Sequence, residues 1–181
     1  ILFAGTPLER TATDDDLKSN DLFIPKQQIL HRKIASDNSF AISQSKLKVN
    51  IGIQNNIRNE FGNPEDASEK ELSFDLKTMN YNIQWQLPEM KDWRTTLGLN
   101  GIYQTNKNKG EEAIIPDYNL FDIGGFVYTQ RSVEKLTISG GGRFDNRQIN
   151  SKQLMDGTDI KFPAFTKSFS NFSGSLGASY E

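Results

Sequence analysis

Leu47-Lys48-Val49-Asn50-Ile51-Gly52-Ile53-Gln54 and Met79-Asn80-Tyr81-Asn82-Ile83-Gln84-Trp85-Gln86-Leu87 decide the fold class. In both stretches apolar and polar residues alternate one for one. A period of two sends successive side chains to opposite faces of a β-strand and matches no helical face. The same alternation returns at Trp93, Thr95, Leu97, Leu99 and Tyr103, at Leu136, Ile138 and Phe144, and at Phe172, Leu176, Ala178 and Tyr180. Each strand therefore has one apolar and one polar face.

Working outward, the sequence divides into seven expected strands: 27–42, 46–60, 71–87, 93–105, 118–131, 135–149 and 168–181. The connections alternate in length. Ser43-Gln44-Ser45, Pro88 to Asp92 and Ser132-Val133-Glu134 are tight, whereas Phe61 to Lys70, Asn106 to Asp117 and Asn150 to Lys167 are long and polar. That rhythm is the habit of outer-membrane barrels, with short turns on the periplasmic side and longer loops outside. Strands this long exceed the globular mode of about 5–6 residues and reach the roughly 9–11 residues that a tilted strand needs to cross a bilayer. Residues 1–26, with Thr13-Asp14-Asp15-Asp16 and little periodicity, read as a loop on the external side. Leu72, Phe74 and Leu76 occupy even positions but Met79 onward odd ones, so a bulge or short break is expected near Lys77-Thr78.

Composition agrees with this reading. Only 35% of the 181 residues are hydrophobic, yet 12 Phe, 5 Tyr and 2 Trp are too many aromatics for a solvating tail. The formal charge of −2, from 21 basic and 23 acidic residues, offers no basic stripe for phosphates, so nucleic acid is not an expected partner. There is no cysteine, which excludes disulfides and thiolate metal sites. No run approaches the roughly 18 apolar residues of a spanning helix. Ile1 to Pro7 is no signal peptide, so an exported chain must take its signal from elsewhere.

Chemistry-bearing motifs are sparse. His31 is the only histidine, which cannot build a catalytic zinc site, and no nucleophile elbow accompanies it. Gly140-Gly141-Gly142 lacks phosphate-loop spacing and reads as strand glycine. Glu111, Glu112, Asp117 and Asp122 lack calcium-loop spacing and read as solvated. No enzyme activity, metal or cofactor is expected. The notable residues are polar ladders: Gln54, Asn56, Arg58 and Glu60 on one strand, and Arg143, Asp145 and Arg147 on another. The turn at 43–45 lays His31 and Lys33 roughly opposite Arg58 and Asn56. In a wide barrel such ladders line a hydrated lumen and face ligand or an internal plug, or serve simply as a polar wall.

Five segments resemble one family. Ile24-Pro25-Lys26-Gln27-Gln28-Ile29-Leu30-His31-Arg32-Lys33, Gln54-Asn55-Asn56-Ile57-Arg58-Asn59-Glu60-Phe61, Ile115-Pro116-Asp117-Tyr118, Gly142-Arg143-Phe144-Asp145 and Phe172 to Ala178 are similar, in order, to segments of TonB-dependent outer-membrane receptors. The resemblance implies a 22-stranded transmembrane barrel, a plug domain energised by TonB, and import of a scarce solute such as a ferric siderophore, cobalamin or a glycan. On that reading residues 1–181 are one all-β segment of the barrel, an antiparallel meander without its plug, placed in the cell outer membrane with lipid as a partner. Alone, such a segment would not transport, and it would hide its apolar rows by curling or by self-association through its edges or apolar face. The alternatives are a complete small outer-membrane barrel with a structural or adhesive role, and a soluble all-β carbohydrate-binding domain.

Overall fold

The computed structural model describes residues 14–18, 25–63 and 66–180. A short helix, α1 (Asp14–Lys18), lies within the stretch expected as an external loop, most of which falls outside the described residues. Seven long strands follow: β1 (Lys26–Ile42), β2 (Ser45–Phe61), β3 (Leu72–Gln86), β4 (Trp93–Asn108), β5 (Tyr118–Val133), β6 (Leu136–Ser151) and β9 (Phe165–Tyr180). They form one sheet in the order β1-β2-β3-β4-β5-β6-β9, every neighbouring pair antiparallel. The chain is thus a pure meander whose end strands β1 and β9 are not paired to each other. A small hairpin, β7 (Leu154–Asp156) with β8 (Asp159–Phe162), occupies the long connection before β9 and was not anticipated from the sequence.

The break expected near Lys77-Thr78 is absent. The β3 register against β2 and against β4 advances one residue at a time through this point, from Asn55↔Lys77 and Gln54↔Thr78 to Ile53↔Met79. Alternation is therefore strict, and it is the polarity of the faces that inverts. On β2 the odd positions run Leu47, Val49, Ile51, Ile53 and then Asn55, Ile57, Asn59. On β3, whose odd positions share that face, Trp85, Ile83, Tyr81 and Met79 give way to Lys77, Asp75 and Ser73. The same change occurs from Tyr103 to Thr105 and Lys107 on β4, from Phe121 to Asn119 on β5, from Phe144 to Asn146 on β6, and from Phe172 to Ser170 on β9. Strands β2 to β6 and β9 outlast the apolar band at the end that carries the long loops, whereas β1 places Ser36 and Asn38 opposite Ile51 and Val49 on this face. In a membrane, such a border is where water and headgroups would replace hydrocarbon and a polar outer face would cost nothing.

Because ladder partners share a face, the slope of the band can be followed across the sheet. Its upper border lies at Ile53, Met79, Tyr103 and Phe121, which are successive partners. On β6 and β9 it lies at Phe144 and Phe172, lower by two same-face steps, since Phe121 faces Gln148 and Phe144 faces Gly125. The lower border falls from Leu47 and Trp85 to Leu136 and Tyr180 in the same sense. A descent of about 13–20 Å over five interstrand spacings of about 4.8 Å corresponds to strands inclined by about 30–40°. Barrel strands lean by about 35–45° in a membrane.

The described residues form no interior core to compete with this reading. Among the described residues Phe61 is the one buried large apolar side chain, while Ile53 (55%), Phe172 (74%) and Leu176 (94%) stand open on the apolar face. No helix among the described residues is long and apolar enough to cross a membrane, which says nothing against crossing by strands. At the lower border Arg131 lies 6.0 Å from the Trp93 ring and 3.5 Å from Asp92, an amphipathic anchor of the kind found where hydrocarbon ends.

The short turns are built without glycine. Ser43 and Glu134 have φ of 55° and 52°, and Lys91 and Asp92 have 50° and 66°. Lys91-Asp92 closes a two-residue hairpin inside the Met90↔Trp93 bridge, with N–H···O bonds of 3.2 and 3.0 Å. Left-handed φ at both central residues favours Asn and Gly. Lys91→Asn is therefore expected to raise the unfolding free energy of the lipid-reconstituted barrel by about 0.5 kcal/mol, and Lys91→Val to lower it by about 1–2 kcal/mol. Urea titration followed by tryptophan fluorescence measures both.

Candidate functional site

A hollow of about 890 Å³ opens on the polar face of the sheet, with Asn82, Asn100, Asp122, Arg143, Arg147 and Asn171 on its wall. Strict alternation puts all nine residues singled out from the sequence on this face. His31 and Lys33 lie opposite Asn56 and Gln54, two residues away from the pairing expected for them. The two-residue turn at Ser43-Gln44, with Ile42↔Ser45 as its first pair, sets that register.

The nine do not converge. They form two groups, on β1–β2 and on β6, separated by a strip of amides and hydroxyls on β3 and β4 that includes Asn80, Asn82, Thr96 and Asn100. In the first group Glu60 accepts from Arg58 (Nη2–Oε1 2.5 Å) and from the Gln27 amide (3.0 Å), and Asn56 Nδ2 lies 3.0 Å from His31 Nδ1. Lys33 has no ion pair among the described residues, so its ammonium is solvated.

In the second group the pairing is tighter. Arg147 donates Nε–H and Nη2–H to the two carboxylate oxygens of Asp122, at 2.7 and 2.6 Å. The residues are direct ladder partners, so the planar guanidinium meets the carboxylate as a two-pronged fork. Arg143 donates from Nε to Asp145 Oδ2 at 2.7 Å and from Nη2 to Asn100 Oδ1 at 2.9 Å, and also pairs with Asp145 Oδ1. To do so it crosses Gly124, the residue between Asn100 and Asp145 on their shared rung. A Cβ at Gly124 would collide with Asp145 and Arg143. Gly124 is thus the floor of the cluster.

Asp122, Asn100 and Gly124 escaped the sequence reading. Asp122 had been grouped with the acidic residues around the 106–117 connection, but it belongs to β5 and is held by Arg147. The signal was available in its even position, which matches the odd positions of β6 once the two-residue turn at Glu134-Lys135 fixes the register. Asp117 is occupied locally, accepting from the Asn108 backbone N–H at 2.8 Å and its side-chain amide at 3.0 Å. In the β2–β3 connection Asp66 accepts from the Ser68 hydroxyl (2.5 Å) and N–H (2.8 Å), which holds its carboxyl below the usual range. Among the described residues no three His, Asp or Glu come together as metal ligands.

The wall changes character with height. Above the charged cluster the same face carries Leu76, Leu120 and Ile149, the counterpart of the inversion on the outside. Chemically, the middle tier is an array of fixed dipoles and mutually neutralised charges. It suits hydrated solutes and a polar protein surface, and it offers no activated nucleophile or general base.

A family model described as "TonB dependent receptor-like, beta-barrel" matches residues 10–181. No curated protein and no solved structure matches the chain. From the geometry, Gly124→Ala is expected to displace Arg143 from Asn100 and to cost about 1 kcal/mol or less of stability, because the atoms it meets are the ends of partly exposed side chains that can move aside. Urea unfolding in lipid vesicles measures it, with Gly125→Ala, which meets no close neighbour, as the control expected to change little.

Proposed function

The chain belongs to the TonB-dependent receptor β-barrel family, and from that premise we propose that it builds part of the wall of an outer-membrane importer for a scarce solute, of the ferric siderophore, cobalamin or glycan kind. The family is one of outer-membrane receptors and transporters, not of enzymes. In this proposal the seven strands are a sector of a 22-stranded barrel. A plug domain fills the lumen and takes up energy from TonB, and residues 1–26 belong to an external loop.

The observation that carries the reading is the slanted apolar band with its inversion of polarity. A soluble sheet has no reason to gather exposed apolar residues of one face into a belt whose upper border is level across β2–β5 and steps down on β6 and β9. The polar wall supports the transport half of the reading, because its arginines are paired locally and its surface is hydrated. The open edges of β1 and β9 favour a sector of a larger wall over a small complete barrel, since unpaired edges do not persist in hydrocarbon. His31, Lys33, Gln54, Asn56, Arg58, Glu60, Arg143, Asp145 and Arg147 are proposed to face plug or solute.

The absence of cysteine makes single-cysteine reporters clean. In intact outer membranes, cysteine at Ile83 or Leu99 is expected to resist a small charged maleimide. Cysteine at Asn82, on the opposite face, and at Lys77, on the same face but above the band, is expected to react. Equal labelling at residues 77 and 83 would remove the membrane assignment. Uptake that proceeds at full rate in cells lacking TonB would remove the importer.

A further inference from the structure

We propose that the outward face of β1 is an association surface for a second copy of the receptor, centred on Ser36 and Asn38. The proposal rests on the barrel reading above and adds a protein partner in the plane of the membrane.

Ile34, Ile53, Met79, Tyr103 and Phe121 share the rung that forms the upper border of the apolar band. Below that rung β1 departs from its neighbours. Ser36 and Asn38 are exposed and stand opposite Ile51 and Val49, whose own partners on β3 are Tyr81 and Ile83. Phe40 and Ile42 resume the apolar face beneath them. Among the described residues Asn38 is the one side-chain amide inside the band. The hydroxyls of Thr95 and Thr129 also face outward, but they close on each other at 2.9 Å, one same-face step above Trp93 and Arg131 at the lower border. An amide at mid-depth in hydrocarbon is costly unless its hydrogen bonds are made, and a polar group kept there marks a contact.

Ser36 and Asn38 satisfy each other only in part. Asn38 Nδ2 donates to Ser36 Oγ at 2.9 Å, and its second acceptor, the Val49 carbonyl, lies at 3.5 Å. Among the described residues Asn38 Oδ1 accepts no hydrogen bond and the Ser36 hydroxyl donates none. One acceptor and one donor are left over, held side by side because Asn38 reaches up to Ser36. Such a pair is self-complementary. A twofold axis along the membrane normal keeps equal residues at equal depth, so the Ser36 O–H of each copy meets Asn38 Oδ1 of the other. Lipid chains supply neither group. Ile34 (78% exposed) above, with Phe40 (50%) and Ile42 (52%) below, gives the polar centre an apolar rim. A strand paired to the free edge of β1 would lie in the plane of the sheet and leave this face uncovered.

The test uses the complete receptor in lipid vesicles. Copies carrying donor and acceptor dyes are mixed, and energy transfer is followed as the protein is diluted with lipid. Asn38→Leu is expected to weaken association about tenfold, for the loss of two hydrogen bonds within hydrocarbon. The same variant is expected to raise the urea midpoint of the dispersed copy, because an amide leaves an apolar setting. Asn38→Gln should retain much of the pairing, and Leu99→Ala, outward-facing on β4, should change none of it. Wild-type receptor that disperses as single copies overturns the proposal, including the case in which the true partner is a helix of a different protein. So does an Asn38→Leu variant that keeps its pairing and loses urea resistance, which would assign the amide to the adjoining strand of its own barrel. Equal labelling of cysteines at 77 and 83 removes the barrel reading and the proposal with it, whereas unequal labelling with dispersed copies removes the proposal alone.

Discussion

An unbroken antiparallel hydrogen-bond ladder is the constraint on which this structure depends. In hydrocarbon a backbone N–H or C=O without a partner costs several kcal/mol, so a strand that crosses must be paired along its whole length on both sides. The six interstrand registers of the large sheet meet that demand without a bulge for the five inner strands, and leave β1 and β9 each with one unpaired side. Strict registration in turn makes face assignment automatic: knowing one side chain's face fixes every other. The apolar band, the polar wall and the arginine clusters all follow from that bookkeeping and from the identity of the residues.

Electrostatics on the polar wall obeys the same geometry. Arg147 meets Asp122 because they are ladder partners, and Arg143 reaches Asn100 because the intervening position is glycine. Neither ion pair is buried, and solvent-exposed pairs contribute at most about 1 kcal/mol each. Their value lies in orientation. A guanidinium held in a fork presents a fixed edge on the polar face, with its charge neutralised locally.

Much of the fold was legible because a period of two is a strong signal when it persists over long strands. Strand positions and the alternation of short and long connections came from that signal and from turn-forming residues. The inference failed where it assumed that apolar residues must keep to one face. Leu72, Phe74 and Leu76 do change face relative to Met79, but the register runs on unbroken, and it is the polarity of the two faces that inverts. Hairpin β7–β8 was missed because strands of three and four residues carry too little alternation to register. The polar ladders were visible as sequence motifs, but the partners that organise them were not. Asp122 and Asn100 come from other strands, and Gly124 acts by lacking a side chain.

The slant of the band separates two coordinates that a sheet usually keeps together: pairing partner and depth. Leu47, Trp85, Leu97, Val127, Gly142 and Gly174 lie along one rung, yet that rung begins at the lower border on β2 and ends inside the band on β9. Lines of equal immersion cut obliquely across the hydrogen bonds. An arginine on the lipid face costs about 2–4 kcal/mol at mid-membrane and almost nothing at its edge. One rung therefore spans permissive and forbidding positions, and tolerance to charge at Trp85 says little about tolerance at Gly142. Mutational maps of this wall belong on a helical grid wound around the barrel, with immersion as one axis and strand number as the other.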